Sequence, residues 1–255
     1  MQTLNDRTVI MTGASSGIGA ASAMGLAARG ANIVLAARRT DRLSELESTI
    51  TAAGGTAMSV ACDVSSQDDV TRLAEKTVDT YGRIDVLVNN AGIMPLAPMT
   101  KRRIEDWDSC IDVNIKGVLY GIAAVLPTML EQKSGHIVNI SSVAGRKIFP
   151  GAAVYCATKH AVHVISDGLR EELAAQGKHD GNRIRVTIIA PGLVATELSN
   201  SILDDETRKQ SSAYFASIGT PLESEDIAAA IEYAVTAPDH VGVNEILVRP
   251  TRQIR

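Results

Sequence analysis

The stretch RTVIMTGASSGIGAASAMGLAARG (residues 7–30) runs from an apolar strand pattern through a glycine-rich turn into a helical pattern. Its G-x-x-x-G-x-G spacing differs from the commoner G-x-G-x-x-G dinucleotide fingerprint and lacks the Gly-Lys-Ser/Thr ending of a triphosphate loop. Glycine allows a sharp turn and a close approach to a phosphate, which then lies against unpaired N–H groups of the helix. The stretch therefore predicts a pyrophosphate site at Gly13, Ser15, Ser16, Gly17, Ile18 and Gly19.

The apolar pattern of the chain alternates between short Val- and Ile-rich runs and longer helical segments. Near-continuous apolar runs are typical of parallel strands that are covered on both faces. We expect strands at 7–13, 32–37, 57–62, 84–90, 136–142, 184–192 and 244–250, and helices at 17–29, 41–53, 67–81, 103–132, 153–177 and 223–237. The alternation predicts a single-domain α/β Rossmann fold, in which a doubly wound, seven-stranded parallel sheet carries helices on both faces.

Residues 193–222 break this alternation. They form a long connection between the sixth predicted strand and the last predicted helix. Connections of this length in a compact domain are usually functional or disordered. Because the stretch from about 197 to 216 has a helical pattern of its own, we interpret 193–222 as a lid or wall of a substrate pocket.

The composition excludes several classes of protein. With 255 residues the chain can form one domain with a full core, and its net charge of −4 argues against a general nucleic-acid binder. The cysteines Cys62, Cys110 and Cys156 are odd in number and lack metal-ligand spacing, which indicates buried thiols in a reducing compartment. The N-terminal segment has no signal-peptide pattern, and we find no apolar run of about 18 residues. We therefore expect a cytoplasmic protein without a nucleic-acid, metal or membrane partner.

The end of the second predicted strand bears on cofactor choice. In NAD-binding sheets of this type an acidic residue there binds the ribose hydroxyls and repels a 2′-phosphate. The sequence NIVLAARRTDRL (32–43) instead places Arg38 and Arg39 directly after the strand. Arginine binds phosphate through charge-assisted, often bidentate hydrogen bonds. The pattern predicts NADP(H), with Arg38 as the main contact and Arg39 as a helper; the alternative is two solvated arginines in a loop.

Tyr155 and Lys159, in YCATKH (155–160), lie four positions apart and therefore on one face of a predicted helix. One interpretation is an exposed helix with ordinary surface residues. In the other, the lysine lowers the pKa of the phenol from its free value of about 10 and makes it an acid and base near neutral pH. The pair alone leaves both interpretations open.

The chain contains seven short motifs in a fixed order, namely TGASSGIG (12–19), CDV (62–64), NNAG (89–92), Asn114 in DVNIKG, NISSVAG (139–145), YCATK (155–159) and PGLVAT (191–196). Together they resemble the short-chain dehydrogenase/reductase family over essentially the full length. This resemblance implies an oxidoreductase that transfers a hydride between NADP(H) and a small or medium-sized alcohol or carbonyl compound. The segments LAARRTDRL (35–43) and 233–251 are similar to a group of NADPH-dependent reductases within that family.

The resemblance implies a role for each matching residue. Tyr155 corresponds to the general acid/base, Lys159 to the residue that lowers its pKa and binds the nicotinamide ribose, and Ser142 to the serine that orients the substrate oxygen. Asn114 corresponds to a residue whose kinked helix backbone holds a water of the proton relay. Besides Tyr155 and Lys159, the implied cofactor contacts are Asp63, Val64, Asn90, Ala91, Gly92, Pro191, Gly192 and Thr196. The substrate pocket is expected to include Ser142, Tyr155, Met94 and Gly192.

Two other functions are compatible with a dinucleotide-binding fold. One is a non-catalytic NADP(H) sensor, which the retained Asn114, Ser142, Tyr155 and Lys159 disfavour. The other is a nucleotide-sugar epimerase or dehydratase, which is disfavoured by the chain length and the glycine spacing. Arg146 and Lys147, just after the serine strand, either face solvent or meet an acidic substrate group.

Small and apolar residues on the helices predicted at 103–132 and 153–177 bear on assembly. They include Ala123, Ala157, Ala161 and Val164. Small residues permit close helix packing, and the family resemblance suggests that these helices meet across a two-fold axis. We therefore expect a homotetramer or a homodimer. His160 and His163 lie on the same helix and are interpreted as packing or surface residues, because no further ligand set accompanies them.

Overall fold

The computed structural model describes residues 3–254; Met1, Gln2 and Arg255, the last residue of the basic C-terminal tail, lie outside it. Within the described residues the strands form one parallel sheet in the order β3-β2-β1-β4-β5-β6-β7. They are β1 (Thr8–Thr12), β2 (Asn32–Ala37), β3 (Thr56–Ala61), β4 (Val86–Asn89), β5 (Ser134–Ile140), β6 (Arg183–Pro191) and β7 (Glu245–Val248). The predicted fold class is confirmed, and each strand boundary lies within two residues of its predicted position.

The central strands are covered on both faces. Every residue of β1 is buried, and β1 pairs with β2 on one side and with β4 on the other. The strand order reverses between β1 and β4, and open sheets of this kind bind ligands at the carboxyl edge of that point. The topology therefore indicates a ligand site at the residues that follow β1 and β4.

Helices pack on each face of the sheet. They are α1 (Gly17–Ala28), α2 (Thr40–Ala52), α3 (Gln67–Tyr81), α4 (Ile104–Ile111), α5 (Gly117–Gln132), α6 (Ala153–Asp180), α7 (Asp205–Ile218) and α8 (Ser224–Val235). On one face α1 packs against α8, with Leu26 and Ile231 in a buried core. On the other face Leu73, Val125 and Val162 from α3, α5 and α6 bury a second core against the sheet. The fold is thus a three-layer α/β sandwich.

The prediction of one continuous helix over residues 103–132 is wrong, because the helix is interrupted. The structure divides it into α4, a π-helical turn at Asp112–Lys116, and α5. The amide of Asn114, in the middle of that turn, bonds to Ile93 and Thr158 outside the helix. A π turn widens the backbone locally and is frequent at functional sites. The hydrogen bonds of Asn114 to residues outside the helix coincide with this break in the helix. The helical periodicity of the sequence does not show the break.

The 193–222 lid segment folds as two short helical pieces. A 3-10 turn covers Glu197–Ser201, and α7 begins at Asp205. Ile202 is fully buried between them, and the side chain of Asp204 accepts a hydrogen bond from the N–H of Thr207 at 2.9 Å. This N-cap defines the start of α7. The predicted helical stretch at about 197–216 is therefore interrupted at the buried Ile202.

The segment Ile104–Gln132 is long and apolar enough to cross a membrane by those two criteria alone, although the sequence was expected to contain no such run. In the fold, however, it is broken by the π turn. Val118, Val125 and Met129 of α5 are buried in the core against α3 and the sheet. The segment therefore packs as a core helix of the α/β sandwich.

Candidate active site

A cavity of about 1080 Å³ lies at the carboxyl edge of the sheet. Gly13, Asn90, Ser141 and Gly192, which follow β1, β4, β5 and β6, all line it. Ligand pockets usually measure about 300–1000 Å³, so this one can hold a large ligand or two adjoining ones. The glycine turn and the arginines after β2 form its nucleotide end. The 143–152 segment, Met94 and the lid form its substrate end.

The cavity brings together all but two of the residues predicted from the sequence. Those that line it are Gly13, Ser15, Ser16, Gly17, Ile18, Arg38, Arg39, Asp63, Val64, Asn90, Ala91, Gly92, Met94, Ser142, Tyr155, Lys159, Pro191, Gly192 and Thr196. The two that do not line it are Gly19 and Asn114.

Gly19 shapes the turn from behind the cavity. A Cβ at this position would lie 2.4 Å from the carbonyl oxygen of Gly13, so α1 can approach the turn only where the residue is glycine. Gly13 itself has a φ of 64°, which other residues adopt only with strain. The side-chain amide of Asn90 donates to the carbonyls of Thr12 at 2.9 Å and Gly13 at 3.2 Å. Gly19 thus allows α1 to pack against the glycine turn, and the hydrogen bonds of Asn90 fix the backbone of that turn.

The first turn of α1 fits the pyrophosphate of a dinucleotide. Its N-cap residue Ser16 makes no side-chain capping bond, and the cavity reaches Gly17 and Ile18 of the first turn. The free N–H groups and the positive dipole end of a helix attract phosphate. The glycines and the uncapped helix are therefore suited to this anion.

Charged side chains gather beyond the glycine turn. Arg39 donates from Nε to the hydroxyl of Ser15 at 3.0 Å and from Nη2 to the hydroxyls of Ser15 at 2.8 Å and Ser16 at 2.7 Å. The side chain of Arg38 is 71% exposed and lies 3.8 Å from the carboxylate of Asp63. Both guanidinium groups flank the end of β2, where a 2′-phosphate would need cations. The residues fit NADP(H), and Arg39 is more firmly held than Arg38.

Tyr155, Lys159 and Ser142 meet between the two ends of the cavity. Tyr155 and Lys159 are each only 6% exposed on the inner face of α6. The side chain of Ser142, which follows β5, lies beside the phenol of Tyr155 in the cavity lining. Lys159 Nζ lies 5.9 Å from the centroid of the Tyr155 ring and donates to the carbonyl oxygen of Ile140 at 2.8 Å. A phenol, a hydroxyl and an amine thus share one site.

The pKa shifts at this site differ from the sequence-based expectation. Burial raises the pKa of Tyr155 well above its ordinary value, although the hydrogen bond of Ser142 opposes that shift. Burial also lowers the pKa of Lys159 to about 8. The net shift of the Tyr155 pKa is therefore upward and not downward as expected, because burial is its largest cause. Tyr155 is therefore a neutral phenol at neutral pH.

Asn114 lies behind the catalytic cluster. Its side-chain amide donates to the carbonyl of Ile93 at 2.9 Å and to the hydroxyl of Thr158 at 3.1 Å, and its carbonyl accepts from the N–H of Ile93 at 3.0 Å. Asn114 thus ties the segment after β4 to the α6 helix that carries Tyr155. The structure gives its side chain a positioning role in addition to the predicted role of its backbone.

The substrate end of the cavity is predominantly apolar and uncharged. Its lining includes Met94, Leu96, Val143, Phe149, Leu198, Tyr214, Phe215 and Ile218, and its polar members from the lid are Ser199, Asn200, Ser201, Thr207, Gln210 and Ser211. Among the described residues, the charged side chains that line the cavity are Arg38, Arg39, Asp63, Lys159 and Glu197. Four of them belong to the nucleotide end and the fifth is the Lys159 of the catalytic cluster.

Arg146 and Lys147 do not reach this cavity. Both are exposed, and Arg146 pairs with Glu245 on β7. Of the two interpretations of these cations, the solvent-facing one agrees with the structure. His163 packs against Gly145, and His160 bonds to the carbonyl of Cys156 at 2.8 Å, as expected of packing residues.

Sequence reasoning missed two polar contacts of the cavity, those of Glu197 and Gln253. Glu197 accepts hydrogen bonds from Arg39 and Arg42, which lie more than 150 positions away. Gln253, buried near the C-terminus, accepts from the N–H of Leu193 at 2.9 Å and so holds the segment after β6. Neither residue belongs to a local motif. An isolated acidic or amide residue is too common in a sequence to indicate such contacts.

Comparison with known proteins agrees with this geometry. The family model for short chain dehydrogenase matches residues 7–207. The chain belongs to the short-chain dehydrogenase family. An uncharacterized oxidoreductase of Staphylococcus saprophyticus is 46% identical to it over 254 residues, which cover 99% of each chain.

Solved structures of dehydrogenases show the same architecture. The closed form of serine dehydrogenase complexed with NADP+ is 34% identical, with a TM-score of 0.87, and the match covers 97% of this chain and 96% of that one. A short-chain dehydrogenase/reductase from Burkholderia phymatum in complex with NAD is 27% identical, with a TM-score of 0.88, and covers 97% and 90%. This member of the short-chain dehydrogenase family is thus an oxidoreductase with a nicotinamide dinucleotide site.

Proposed function

We propose that the protein is an NADP(H)-dependent alcohol dehydrogenase or carbonyl reductase that acts on small or medium-sized, uncharged substrates. The observation that carries this proposal is the junction of Ser142, Tyr155 and Lys159 between a cationic nucleotide end and an apolar substrate end. The cofactor segment after β2 and the C-terminal segment resemble those of NADPH-dependent clavulanate (clavaldehyde) dehydrogenase. That similarity concerns scaffold and cofactor, and the substrate is not carried over.

Proton transfer is assigned to Tyr155. In the reductive direction the phenol O–H donates its proton to the carbonyl oxygen of the substrate, and in the oxidative direction the phenolate takes it from the alcohol. The hydroxyl of Ser142, which lies beside the phenol, is placed to orient the same oxygen and to stabilise negative charge on it. When bound, NADP(H) supplies or accepts the hydride.

Lys159 supports the phenolate that Tyr155 becomes after proton donation. With a pKa lowered to about 8 by burial, Lys159 is an ammonium at neutral pH. It lies close enough to the phenol ring for its charge to stabilise a phenolate. The raised pKa of Tyr155 in turn favours the protonated phenol, which is the form needed for carbonyl reduction. These protonation states favour reduction near neutral pH.

The experiment that tests the function is a substrate panel read by NADPH absorbance. Aldehydes, ketones, hydroxy acids and sugars are each offered with NADPH or NADP+. We expect turnover of uncharged aldehydes or ketones, and a higher kcat/KM with NADPH than with NADH. A wild-type enzyme that is faster with NADH contradicts the cofactor assignment.

A non-catalytic NADP(H) sensor is the second candidate. Its discriminating result is tight NADPH binding without turnover of any member of the panel. The cluster of Ser142 with the buried Tyr155 and Lys159 favours the enzyme, because a phenol placed for proton transfer is needed for turnover and not for nucleotide binding.

We also propose a homotetramer or homodimer in which α5 and α6 meet their counterparts. Leu119 and Ala123 on α5 and Ala157 and Val164 on α6 are exposed, and the side chain of Val164 is prominent among them. Light scattering at micromolar concentration tests this assembly. We expect a mass of two or four chains for the wild type and a smaller mass for Val164→Asp; a monomeric wild type contradicts the proposal.

A further inference from the structure

A carboxylate from the lid lies on the arginines that follow β2. Glu197 accepts from Arg39 Nη1 at 2.7 Å through Oε2, and from Arg42 Nη1 at 2.7 Å and 2.9 Å through its two oxygens. Arg39 simultaneously donates to the hydroxyls of Ser15 and Ser16 in the glycine turn. One internal anion is therefore held where two guanidinium groups and the glycine turn meet.

The lid backbone brings Glu197 to this position. The preceding residue, Thr196, lies so close to the turn that a Cβ on Gly17 would be 3.1 Å from its methyl group. Glu197 is also the first residue of the 3-10 turn Glu197–Ser201, and its side chain lines the cavity. The lid thus supplies a carboxylate to the arginines that follow β2.

Glu197 is ionised under all working conditions. The hydrogen bonds from Arg39 and Arg42 lower its pKa to about 2. A carboxylate shared by two arginines offers them the same charge-assisted hydrogen bonds as a phosphate oxygen pair. A phosphate that binds Arg39 must either replace the hydrogen bonds of Glu197 or bind the guanidinium groups next to the negatively charged carboxylate.

We infer that Glu197 is a specificity-determining residue, an internal anion that competes with the 2′-phosphate of NADP(H) for Arg39 and Arg42. This inference rests on the NADP(H) function proposed above. In the free protein Glu197 neutralises part of a cluster of three arginines, Arg38, Arg39 and Arg42. Phosphate binding exchanges one anion for another at the same cations, so the carboxylate lowers the affinity for a 2′-phosphate without abolishing it.

The test compares two nucleotides that differ in the 2′-phosphate. Adenosine 2′,5′-bisphosphate and adenosine 5′-monophosphate are titrated by calorimetry into the wild type, Glu197→Gln and Glu206→Gln. The Glu206→Gln control removes a carboxylate of the same lid that pairs with Lys101 at 3.1 Å, away from the cavity. Thermal unfolding of each variant confirms that it is folded.

We expect Glu197→Gln to bind the bisphosphate about three- to tenfold more tightly, because two exposed ion pairs no longer compete. Binding of the monophosphate is expected to change by less than about twofold, and Glu206→Gln to match the wild type. Unchanged or weaker bisphosphate binding by Glu197→Gln overturns the inference, as does an equal gain for both nucleotides. If neither the wild type nor Glu197→Gln prefers the bisphosphate, the NADP(H) function itself is wrong.

Discussion

The two ends of the cavity are built on different principles. The nucleotide end is polar and charged, with Arg38, Arg39, Asp63 and Glu197 around a glycine turn. The substrate end is apolar and comes from the 143–152 segment and the lid. The nucleotide end must hold a polyanion, which charged side chains can bind. The substrate end presents an apolar surface with few polar groups to orient a ligand. One end therefore selects by charge and the other by shape and desolvation.

The ends are nevertheless connected through the lid. Thr196 packs on the glycine turn at one end, and the hydroxyl of Ser201 accepts from the N–H of Met94 at 2.8 Å at the other. Only the 3-10 turn Glu197–Ser201 separates these contacts. The lid thus contributes to both ends through residues that lie close together in the sequence.

The largest separation of the two ends is expected from Tyr155→Phe. The phenyl ring fills the same buried space but has no proton to transfer, and loss of general acid/base catalysis costs about 10²–10⁴-fold in kcat. Adenosine 2′,5′-bisphosphate binding, measured by calorimetry, should stay within about twofold of wild type, because Tyr155 lies outside the nucleotide end. Steady-state kcat is measured in parallel.

The matched control is Tyr233→Phe, which removes a hydroxyl from an exposed tyrosine of α8. It should leave kcat and nucleotide binding unchanged. A Tyr155→Phe enzyme that retains more than about a tenth of wild-type kcat would show that another group transfers the proton.

A second experiment alters the nucleotide end alone. In Ala37→Asp/Arg38→Ala an acidic residue takes the position at the end of β2 and one cation is lost, so a 2′-phosphate is repelled and ribose hydroxyls gain an acceptor. We expect kcat/KM with NADPH to fall about 10- to 100-fold, since a hydrogen bond to a charged group is worth about 1.5–3 kcal/mol. The ratio of kcat/KM values for NADPH and NADH is the measurement.

Arg208→Ala, at an exposed arginine of α7, serves as the control for loss of a cation. Its cofactor preference should equal that of the wild type. If the double variant keeps the full NADPH preference, Arg39 and Arg42 carry the specificity without Arg38.

The two ends also differ in how far the sequence predicted them. The nucleotide end follows from local rules: the strands end where apolar runs end, and the glycine spacing and the Arg38–Arg39 pair directly follow β1 and β2. A motif next to a strand end is placed at the carboxyl edge by the parallel topology alone. Hence the fold and nearly all of the lining at this end were predicted.

Features that depend on tertiary contacts do not follow from local sequence patterns. The bonds of Glu197 to Arg39 and Arg42 join residues more than 150 positions apart. The break at Asn114 depends on contacts with Ile93 and Thr158, and only the family resemblance, not the helical periodicity, implied a kink there. The raised pKa of Tyr155 reflects burial, which becomes measurable only when the lid and α6 are placed. Charge pairing and desolvation at long range leave no periodic signal in a sequence.

A third experiment probes the substrate end through charge. An oxo acid and its methyl ester are compared as substrates, with carbonyl groups that are otherwise identical. Because the apolar lining offers a carboxylate no cation apart from Lys159, we expect kcat/KM to favour the ester by at least about tenfold. Equal values for acid and ester would show that the substrate end is wetter or more polar than its lining indicates.

A positive charge introduced at the substrate end should lower the ratio of kcat/KM for the ester to kcat/KM for the acid. Gln210→Lys adds a cation to α7 where it lines the cavity, and Gln176→Lys adds one to the outer part of α6. We expect only Gln210→Lys to raise kcat/KM for the acid. A similar rise in both variants would indicate a general effect of net charge, not a local one.

The smallest expected effect concerns the cation buried between the two ends. Lys159 is almost fully buried, its ammonium donates to the Ile140 carbonyl, and burial lowers its pKa to about 8 from an unfolded value near 10.4. Below pH 8 the lysine is charged in both states, so the folded protein carries the whole desolvation cost. Between about pH 8 and 10 the folded state has released the proton that the unfolded state still binds, and stability rises with pH. Lys159→Met should therefore increase the free energy of unfolding at pH 7 by about 1–3 kcal/mol, a gain that shrinks as the pH rises from about 8 to 10. Chemical denaturation at several pH values measures it, with the exposed Lys76→Met as a control expected within about 0.5 kcal/mol of wild type. A Lys159→Met protein less stable than wild type at pH 7 would mean that the bond to Ile140 outweighs the desolvation of the ammonium, and that the catalytic lysine contributes to stability as well as to catalysis.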